Sequence, residues 1–409
     1  MIEVAGLKSY LEAQLPNALA MLERMVEINS FTGNPDGVNR LARLTAECFA
    51  PLGFTAEHVP SKNPAWGDHL VMTRPGRSGK AISMISHLDT VFPPEEEQRN
   101  NFRWLVEGDR IYGPGTQDIK GGTVMMWFVL SALKEKYPAV FEACTWQLFL
   151  NSSEEQYSPD FGDLCRARFA PGTLAALVFE AEGRESDNKP LAVVARKGRA
   201  TWRVSVSGRA AHAGGKHPFG ANAVVQLGHV VQQIAEMTNY ERNLTFTVAT
   251  ARGGTVLNRV PHEAMAEGEF RAFSPQVYRD AKERLLGLAG PGLVRSPADG
   301  YPCTIRAEIL SESRPWPRNS ATDRLYGYFA EAAARLQMPF GMQERGGLSD
   351  GNFVWDAVPT IDGLGPWGDN DHCSERSADG TKVPEYVEIS SFVPKALLNC
   401  AAIVDLVQA

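Results

Sequence analysis

The chain has 409 residues, more than one ordinary domain, so two domains are expected. Hydrophobic residues make up 44% and charged residues 22%, the balance of a globular protein, and a net charge of −7 argues against a nucleic-acid partner. No apolar run approaches a bilayer span, the longest covering only residues 124–130, so no membrane partner is expected.

The N-terminal stretch MIEVAGLKSYLEAQL carries acids early and reads as an amphipathic helix, without the basic start and long apolar core of a signal peptide. The six cysteines (Cys48, Cys144, Cys165, Cys303, Cys373 and Cys400) are scattered and form no CxxC pair, a pattern of reduced thiols in a cytoplasmic chain. Cys373 follows a candidate ligand, but cysteine's usual burial makes it a neighbour without a role.

Apolar residues recur at helical spacing over residues 7–28. A Gly/Pro/Asn loop at 33–37 leads to a second helix over 38–50. Short apolar runs at 81–85, 145–150 and 174–179 read as buried strands, with a long apolar helix over 123–135 between the first two. Strands alternating with helices imply a mostly parallel sheet covered on both faces, an α/β/α architecture. Near residue 200 the pattern changes. Trp202, Val204 and Val206 alternate with polar residues, as do Leu244, Phe246 and Val248, then Ala264 through Phe270, then Cys303 through Ile309. Helix patterns at 222–237 and 276–288 separate them. Strand, helix, strand, strand, helix, strand is the ferredoxin-like split unit, an antiparallel α+β sheet with two helices on one face. It is expected over 199–313, inserted between the catalytic segments 1–198 and 314–409. The tail returns to the first style, with a helix at 321–336, a strand at 357–361 and a helix at 389–407.

Each apolar run of the α/β part leads into chemistry. Residues 81–85 run into Ser86-His87-Leu88-Asp89-Thr90, and 145–150 into Asn151-Ser152-Ser153-Glu154-Glu155. Residues 174–179 run into Glu180, and 357–361 reach His372 through a Gly/Pro loop. The carboxyl ends of parallel strands share one edge, where ligands bind. Asp118 joins them from the glycine-rich turn 113–122 that opens the helix at 123. Two histidines with several carboxylates suit zinc, and one carboxylate can bridge a pair of ions about 3.5–4 Å apart. Asp89, two places after His87, is placed to orient that ring. Taken alone, a His or Glu is ordinarily solvated, the reading for His58, His69, His217, His229 and His262. Glu154-Glu155 alone would be a plain acidic turn, and Gly121-Gly122 a helix start. Arg271 and Arg314 are candidates to hold a substrate carboxylate, whose geometry the guanidinium fork matches, although exposed arginines are common.

The stretches SHLDT, GPGTQDIKGG, NSSEEQ, LVFEAEG, GRAAHAGG and NDHCSE resemble, in order, the motifs of the di-zinc peptidases and deacylases of the glutamate carboxypeptidase (carboxypeptidase G) and aminoacylase type. The resemblance spans about residues 80–375. It implies two zinc ions per subunit, one held by His87, Asp118 and Glu180, the other by Asp118, Glu155 and His372, with Asp118 bridging. Glu154 would be the general base and Asp89 the partner of the His87 ring, with a cis peptide bond after Asp118. Glu182 is an alternative to Glu180, which is favoured because it directly follows an apolar run. Pro114 departs from the pattern, standing where many relatives have arginine. The inserted domain matches the family's dimerisation lid. From it His212 would reach the partner subunit's site as an oxyanion donor, with Asn258 also at the active site; a loop histidine that only caps a turn is the plainer alternative. The loop 346–351 resembles the family's glycine-rich substrate loop.

The resemblance thus implies a cytoplasmic homodimer that hydrolyses a small peptide or N-acyl amino acid beside a free carboxylate. Exopeptidase release of a residue such as glutamate is the first expectation. N-acyl-amino-acid deacylation and dipeptide cleavage use the same metal residues and stay open. A non-catalytic binding relative is the reading from another class; such a relative would be expected to have lost the base or a ligand, and here all are present.

Overall fold

The computed structural model describes residues 4–185 and 188–409. They fall into two compact units: one comprises the chain up to Val194 with Arg318–Glu344 and Ser349–Ala409, the other Ala195–Pro317 with Arg345–Leu348.

The first unit is built on a six-stranded sheet in the order Thr55–Val59, His69–Arg74, Thr145–Asn151, Ala81–His87, Thr173–Val178, Thr360–Ile361. The last four strands are mutually parallel, and the first two are attached antiparallel. Every residue of Ala81–His87 is buried. Alternate side chains leave opposite faces of a strand: Ile82, Met84, Trp146, Leu148 and Leu177 join the large core, while Ile85, Phe149, Ala176 and Val178 join a smaller one with Phe161 and Val354. Strands covered on both faces are continuously apolar for that reason. The helices Val4–Val26, Lys120–Lys136 and Phe392–Gln408 supply the large core. The segment Ile389–Gln408 is long and apolar enough to cross a membrane, yet 78% of its 18-residue apolar stretch is buried inside the protein, which makes it a core helix. Trp146 is fully buried, stacks on Phe141 at 6.0 Å and donates its indole N–H to Phe141 O at 2.9 Å. Trp146→Ala should therefore cost about 3–5 kcal/mol of stability, read as a lowered urea midpoint; an unchanged midpoint would contradict this packing.

A four-stranded sheet of very short strands, Gly368–Asp369, Tyr386–Glu388, Arg110–Tyr112 and Leu105–Glu107, flanks the main sheet's unit. It carries the chain past Glu385 and was not expected from the sequence.

The second unit is an antiparallel sheet in the order Thr245–Gly253, Glu263–Ala272, Gly198–Ser207, Pro302–Ser313, Gly290–Arg295. Ala200, Trp202, Val204 and Val206 are buried in a core shared with the helices Ala223–Ala235 and Pro275–Leu286, while Arg199, Thr201, Arg203 and Ser205 are half-buried on the other face. This is the ferredoxin-like arrangement with a fifth strand, Gly290–Arg295, added at one edge. Its bounds run beyond 199–313 because Arg196 and Trp316 exchange backbone hydrogen bonds at 2.9 and 3.0 Å, extending the pairing. Residues 345–348, grouped with the catalytic part by sequence, join this unit. Lys197 N donates to Arg345 O at 3.0 Å, and the Arg196 guanidinium donates to the carbonyls of Gly347 and Leu348 at 3.2 and 2.9 Å.

Candidate metal centre

His87 ends the central strand, and its buried ring faces Asp118, with Nε2 2.9 Å from Oδ1. The Glu180 carboxylate, just past the neighbouring strand Thr173–Val178, lies 4.0 Å from the same nitrogen. On the other side of Asp118, His372 Nε2 lies 3.3 Å from Asp118 Oδ2 and 3.3 Å from Glu155 Oε2. Asp118 therefore turns one oxygen to each histidine. His87, Asp118 and Glu180 each offer a ligand atom, all within 4.8 Å of one another, and so do Asp118, Asp371 and His372. The sequence reading did not single out Asp371; its neighbour His372 gave the only local signal. Glu182 is engaged elsewhere, by Arg184 at 3.0 Å and Lys395 at 3.1 Å. That leaves Glu180 as the carboxylate beside His87. The Asp118–Ile119 peptide bond is cis. The helix that follows starts with its backbone against the end of the next strand: a Cβ on Gly122 would sit 1.9 Å from Phe179 O. Only glycine permits that approach. Gly122→Ala should push the Asp118 turn away from Glu180 and lower both stability and metal affinity, measurable by thermal melting and metal titration.

The turn bearing Glu154 and Glu155 is held by its amides. Ser152 N donates to His69 Nδ1 at 3.2 Å, Ser153 N to Asn151 Oδ1 at 3.0 Å, Glu154 N to Asp89 Oδ1 at 3.0 Å and Glu155 N to Asp89 Oδ2 at 3.2 Å. Asp89 also accepts from the Thr32 hydroxyl at 2.6 Å and lies 3.4 Å from His87 Nδ1. Its own backbone carbonyl lies nearer that nitrogen, at 3.0 Å, and its carboxylate ties the histidine strand to the glutamate turn. Glu385 does the same for Asp118, its Oε1 accepting from Gln117 N at 2.9 Å and Asp118 N at 3.1 Å. Asp350 accepts from Asn151 Nδ2 at 2.8 Å beneath the turn. Sequence reasoning missed Glu385, Asp350 and His69. His69, read as solvated, is 1% exposed.

So many buried carboxylates raise one another. Burial and the charges of Asp350, Glu180 and Glu155 push Glu154 well above the usual carboxylate range, against the pull of His87. Glu155 is pushed up to about 7 by burial and Asp118, and Asp350 to about 7 by burial and neighbouring acids. Burial and Asp118 likewise raise Glu385. Asp118 itself is held low: burial would raise it, but hydrogen bonds from His372 and His87 prevail. Burial would lower the His87 ring, but Asp118, Asp89 and Glu180 lift it well above its ordinary value; hydrogen bonds donated to Asp118 and Glu155 raise His372 to about 11. The cluster has more carboxylates than the two rings can neutralise. Nitrogen and oxygen donors around a shared carboxylate fit a pair of divalent cations such as zinc.

His212, Asn258, Arg271 and Arg314 belong to the second unit. His212 Nδ1 accepts from Gly214 N at 3.1 Å and Gly215 N at 3.0 Å, so its proton resides on Nε2. Asn258 O accepts from Ala213 N at 3.0 Å, next to that histidine. Arg271 is gripped by Glu269 at 2.7 Å and donates to Gly346 O at 2.9 Å. Arg314 directly follows the strand Pro302–Ser313.

A mostly parallel α/β unit with a His/Asp/Glu cluster at its strand ends, interrupted by an antiparallel α+β unit, is an arrangement able to hold metal ions at a sheet edge. Known proteins share it. Residues 194–288 match the peptidase dimerisation domain of the M20 type. The chain is 28% identical to carboxypeptidase G2 of a Pseudomonas species over 398 residues, covering 96% of this chain and 89% of that protein. It is 26% identical to succinyl-diaminopimelate desuccinylase of Bordetella petrii over 391 residues, covering 92% and 94%. Among solved structures, a Staphylococcus aureus tripeptidase superposes with a TM-score of 0.77 at 19% identity, covering 97% and 99%. A dinuclear metal-binding M20 peptidase of Bacillus subtilis superposes at 0.65 and 14% identity, covering 97% and 99%. Over most of its length the chain is thus similar to M20-type hydrolases, and residues 194–288 are similar to their dimerisation domain.

Proposed function

We propose that this protein is a cytoplasmic, homodimeric di-zinc exopeptidase that cleaves the amide bond of a C-terminal residue such as glutamate, next to its free carboxylate. The observation that carries the reading is Asp118 set between His87 and His372, an oxygen toward each. His87, Asp118 and Glu180 would hold one ion; Asp118, Glu155 and His372 the other. When bound, the ions polarise the scissile carbonyl and acidify water. Glu154, on the amide-anchored turn, takes the proton of the attacking water and delivers it to the leaving amine. Asp89 keeps both the His87 ring and the Glu154 backbone in place. His212, with Nδ1 occupied by two glycine amides, presents Nε2–H as a neutral donor to the oxygen where charge develops, from the partner subunit. Asn258 lies beside that loop, and Arg271 or Arg314 reads the free carboxylate.

Similarity to a carboxypeptidase supports this choice of substrate. Similarity to a desuccinylase supports N-acyl-amino-acid deacylation as the second reading. The test is a panel of N-acyl amino acids and dipeptides, each as free acid and as C-terminal amide. Losing a charge pair in a closed site costs about 2–5 kcal/mol, so amidation should nearly abolish turnover, and should make little further difference once the arginine that reads the carboxylate is replaced. Equal turnover of acid and amide would remove the carboxylate from the recognition. Catalysis across the dimer has its own test. Inactive His212→Ala and inactive Glu154→Gln subunits, mixed and exchanged, should regain activity through hybrids with one intact site. No recovery in a mixture shown to exchange would place His212 outside the shared site.

A further inference from the structure

His69 opens the strand His69–Arg74, whose register pairs Leu70 with Leu150 and so sets His69 beside the end of the strand that delivers the glutamate turn. The ring is 1% exposed and packs 5.2 Å from the Phe161 ring. Its Nδ1 lies 3.2 Å from Ser152 N and 3.1 Å from Ser152 Oγ, and its Nε2 lies 3.2 Å from Asp160 Oδ2. A backbone N–H can only donate, so Nδ1 is an acceptor and the proton sits on Nε2, donated to Asp160. Asp160 is fixed in turn by Lys62 N at 2.8 Å and the Ser61 hydroxyl at 3.1 Å.

Serine, histidine and aspartate in a line have the composition of a nucleophilic triad, but the geometry is wrong for one. Ser152 is 0% exposed, and its own amide shares the histidine nitrogen with its hydroxyl. A nucleophile needs an open approach for substrate and a base free to take its proton. What the arrangement does is hold a peptide group. The segment from Ser152 leaves the strand Thr145–Asn151 for the short turn Glu154–Gln156, so its amides lack a ladder partner and must find other acceptors. Asp89 and Asn151 take three of them; His69 takes the first.

We propose that His69, fixed by Asp160, is a positioning residue for Glu154, acting through the backbone of Ser152. The inference rests on the reading of Glu154 as the base. Without an acceptor the buried Ser152 amide is unsatisfied, and the turn relieves this by shifting; a displacement of about 1 Å at a reacting group costs on the order of 100-fold in rate.

The test compares His69→Leu, which fills the space without an acceptor, with His69→Asn, whose Oδ1 takes the place of Nδ1 and can accept from Ser152 N. Two readouts on the full-length dimer are used: hydrogen exchange of the 152–155 amides, and kcat and KM on the best substrate of the panel with metal content measured alongside. The Leu variant should exchange these amides at least about 10-fold faster, as a locally opened segment does. Its kcat should fall about 10–100-fold with KM and metal content near wild type, and the Asn variant should recover most of both. Wild-type exchange and kcat in the Leu variant, or equal losses in the Leu and Asn variants, would overturn the proposal, the latter by showing packing alone. Should the Leu variant fail to fold, Asp160→Ala carries the same test: faster exchange at Ser152 is expected, and unchanged exchange overturns it. Glu154→Gln serves as the control that separates the two readings. If it keeps turnover the base assignment fails, whereas the exchange result still decides whether His69 holds the turn.

Discussion

Glu154→Gln should retain two metal ions per subunit and lose about 10²–10⁴-fold in kcat, the usual contribution of a positioned general base. Two nitrogens and two carboxylates lie around Asp118 without it: His87 and Glu180 on one side, His372 and Glu155 on the other. Glutamine preserves the shape and the backbone amide that binds Asp89, so the turn stays in place. What it removes is the ability to take a proton from water and hand it to the leaving amine. Elemental analysis gives the metal content, and steady-state kinetics on the best panel substrate gives the rate. Near-normal turnover with both ions present would assign the proton transfer to another group. Loss of an ion would make Glu154 a ligand and dissolve its separate role.

Where the sequence was legible, the reason is physical. The strands ending in His87, Asn151 and Val178 are buried on both faces, so they appear as continuous apolar runs whose next residue must lie at the sheet edge. The second unit was legible because one face of its sheet is buried and the other is not, which writes period two into Ala200 through Val206. Gly290–Arg295 left no such mark: an edge strand of sequence GPGLVR has too few side chains facing the core. The groups that support the site were hidden for a different reason. Glu385 reaches Asp118 across 267 residues, and His69 reaches Ser152 across 83. Such contacts come from strand register and sheet pairing, which no local pattern records. His69 shows the cost of judging a polar residue by type alone, since its place at a strand start beside a buried turn determines its environment. The place of the segment 345–348 was not legible locally for a related reason: its carbonyls are captured by Arg196 and Arg271, and only the assembled sheet brings those guanidinium groups there.

Asp118→Ala should lose both ions where His372→Ala loses one, and this difference tests the shared-carboxylate reading more sharply than loss of activity does. Each oxygen of Asp118 faces a different histidine, at 2.9 and 3.3 Å, so a single side chain supplies a donor to both positions. Removing it strips a ligand from each ion and leaves His87 and His372 beside glutamates that have also lost their common neighbour. Loss of an outer partner of a ligand already costs about 10–100-fold in metal affinity, and loss of a bridging ligand should exceed that at both positions. The loop itself should survive, because Glu385 holds it through the amides of residues 117 and 118 and not through the Asp118 carboxylate. The expected series, from metal titration of purified protein, is two ions in the wild type, two in Glu154→Gln, one in His372→Ala and none in Asp118→Ala, with melting of the ion-free forms showing that each still folds. If Asp118→Ala bound one ion as tightly as His372→Ala does, the two positions would not share this carboxylate. The cluster Asp118, Asp371 and His372 would then have to be reconsidered, with Asp371 as a ligand able to hold the second ion on its own.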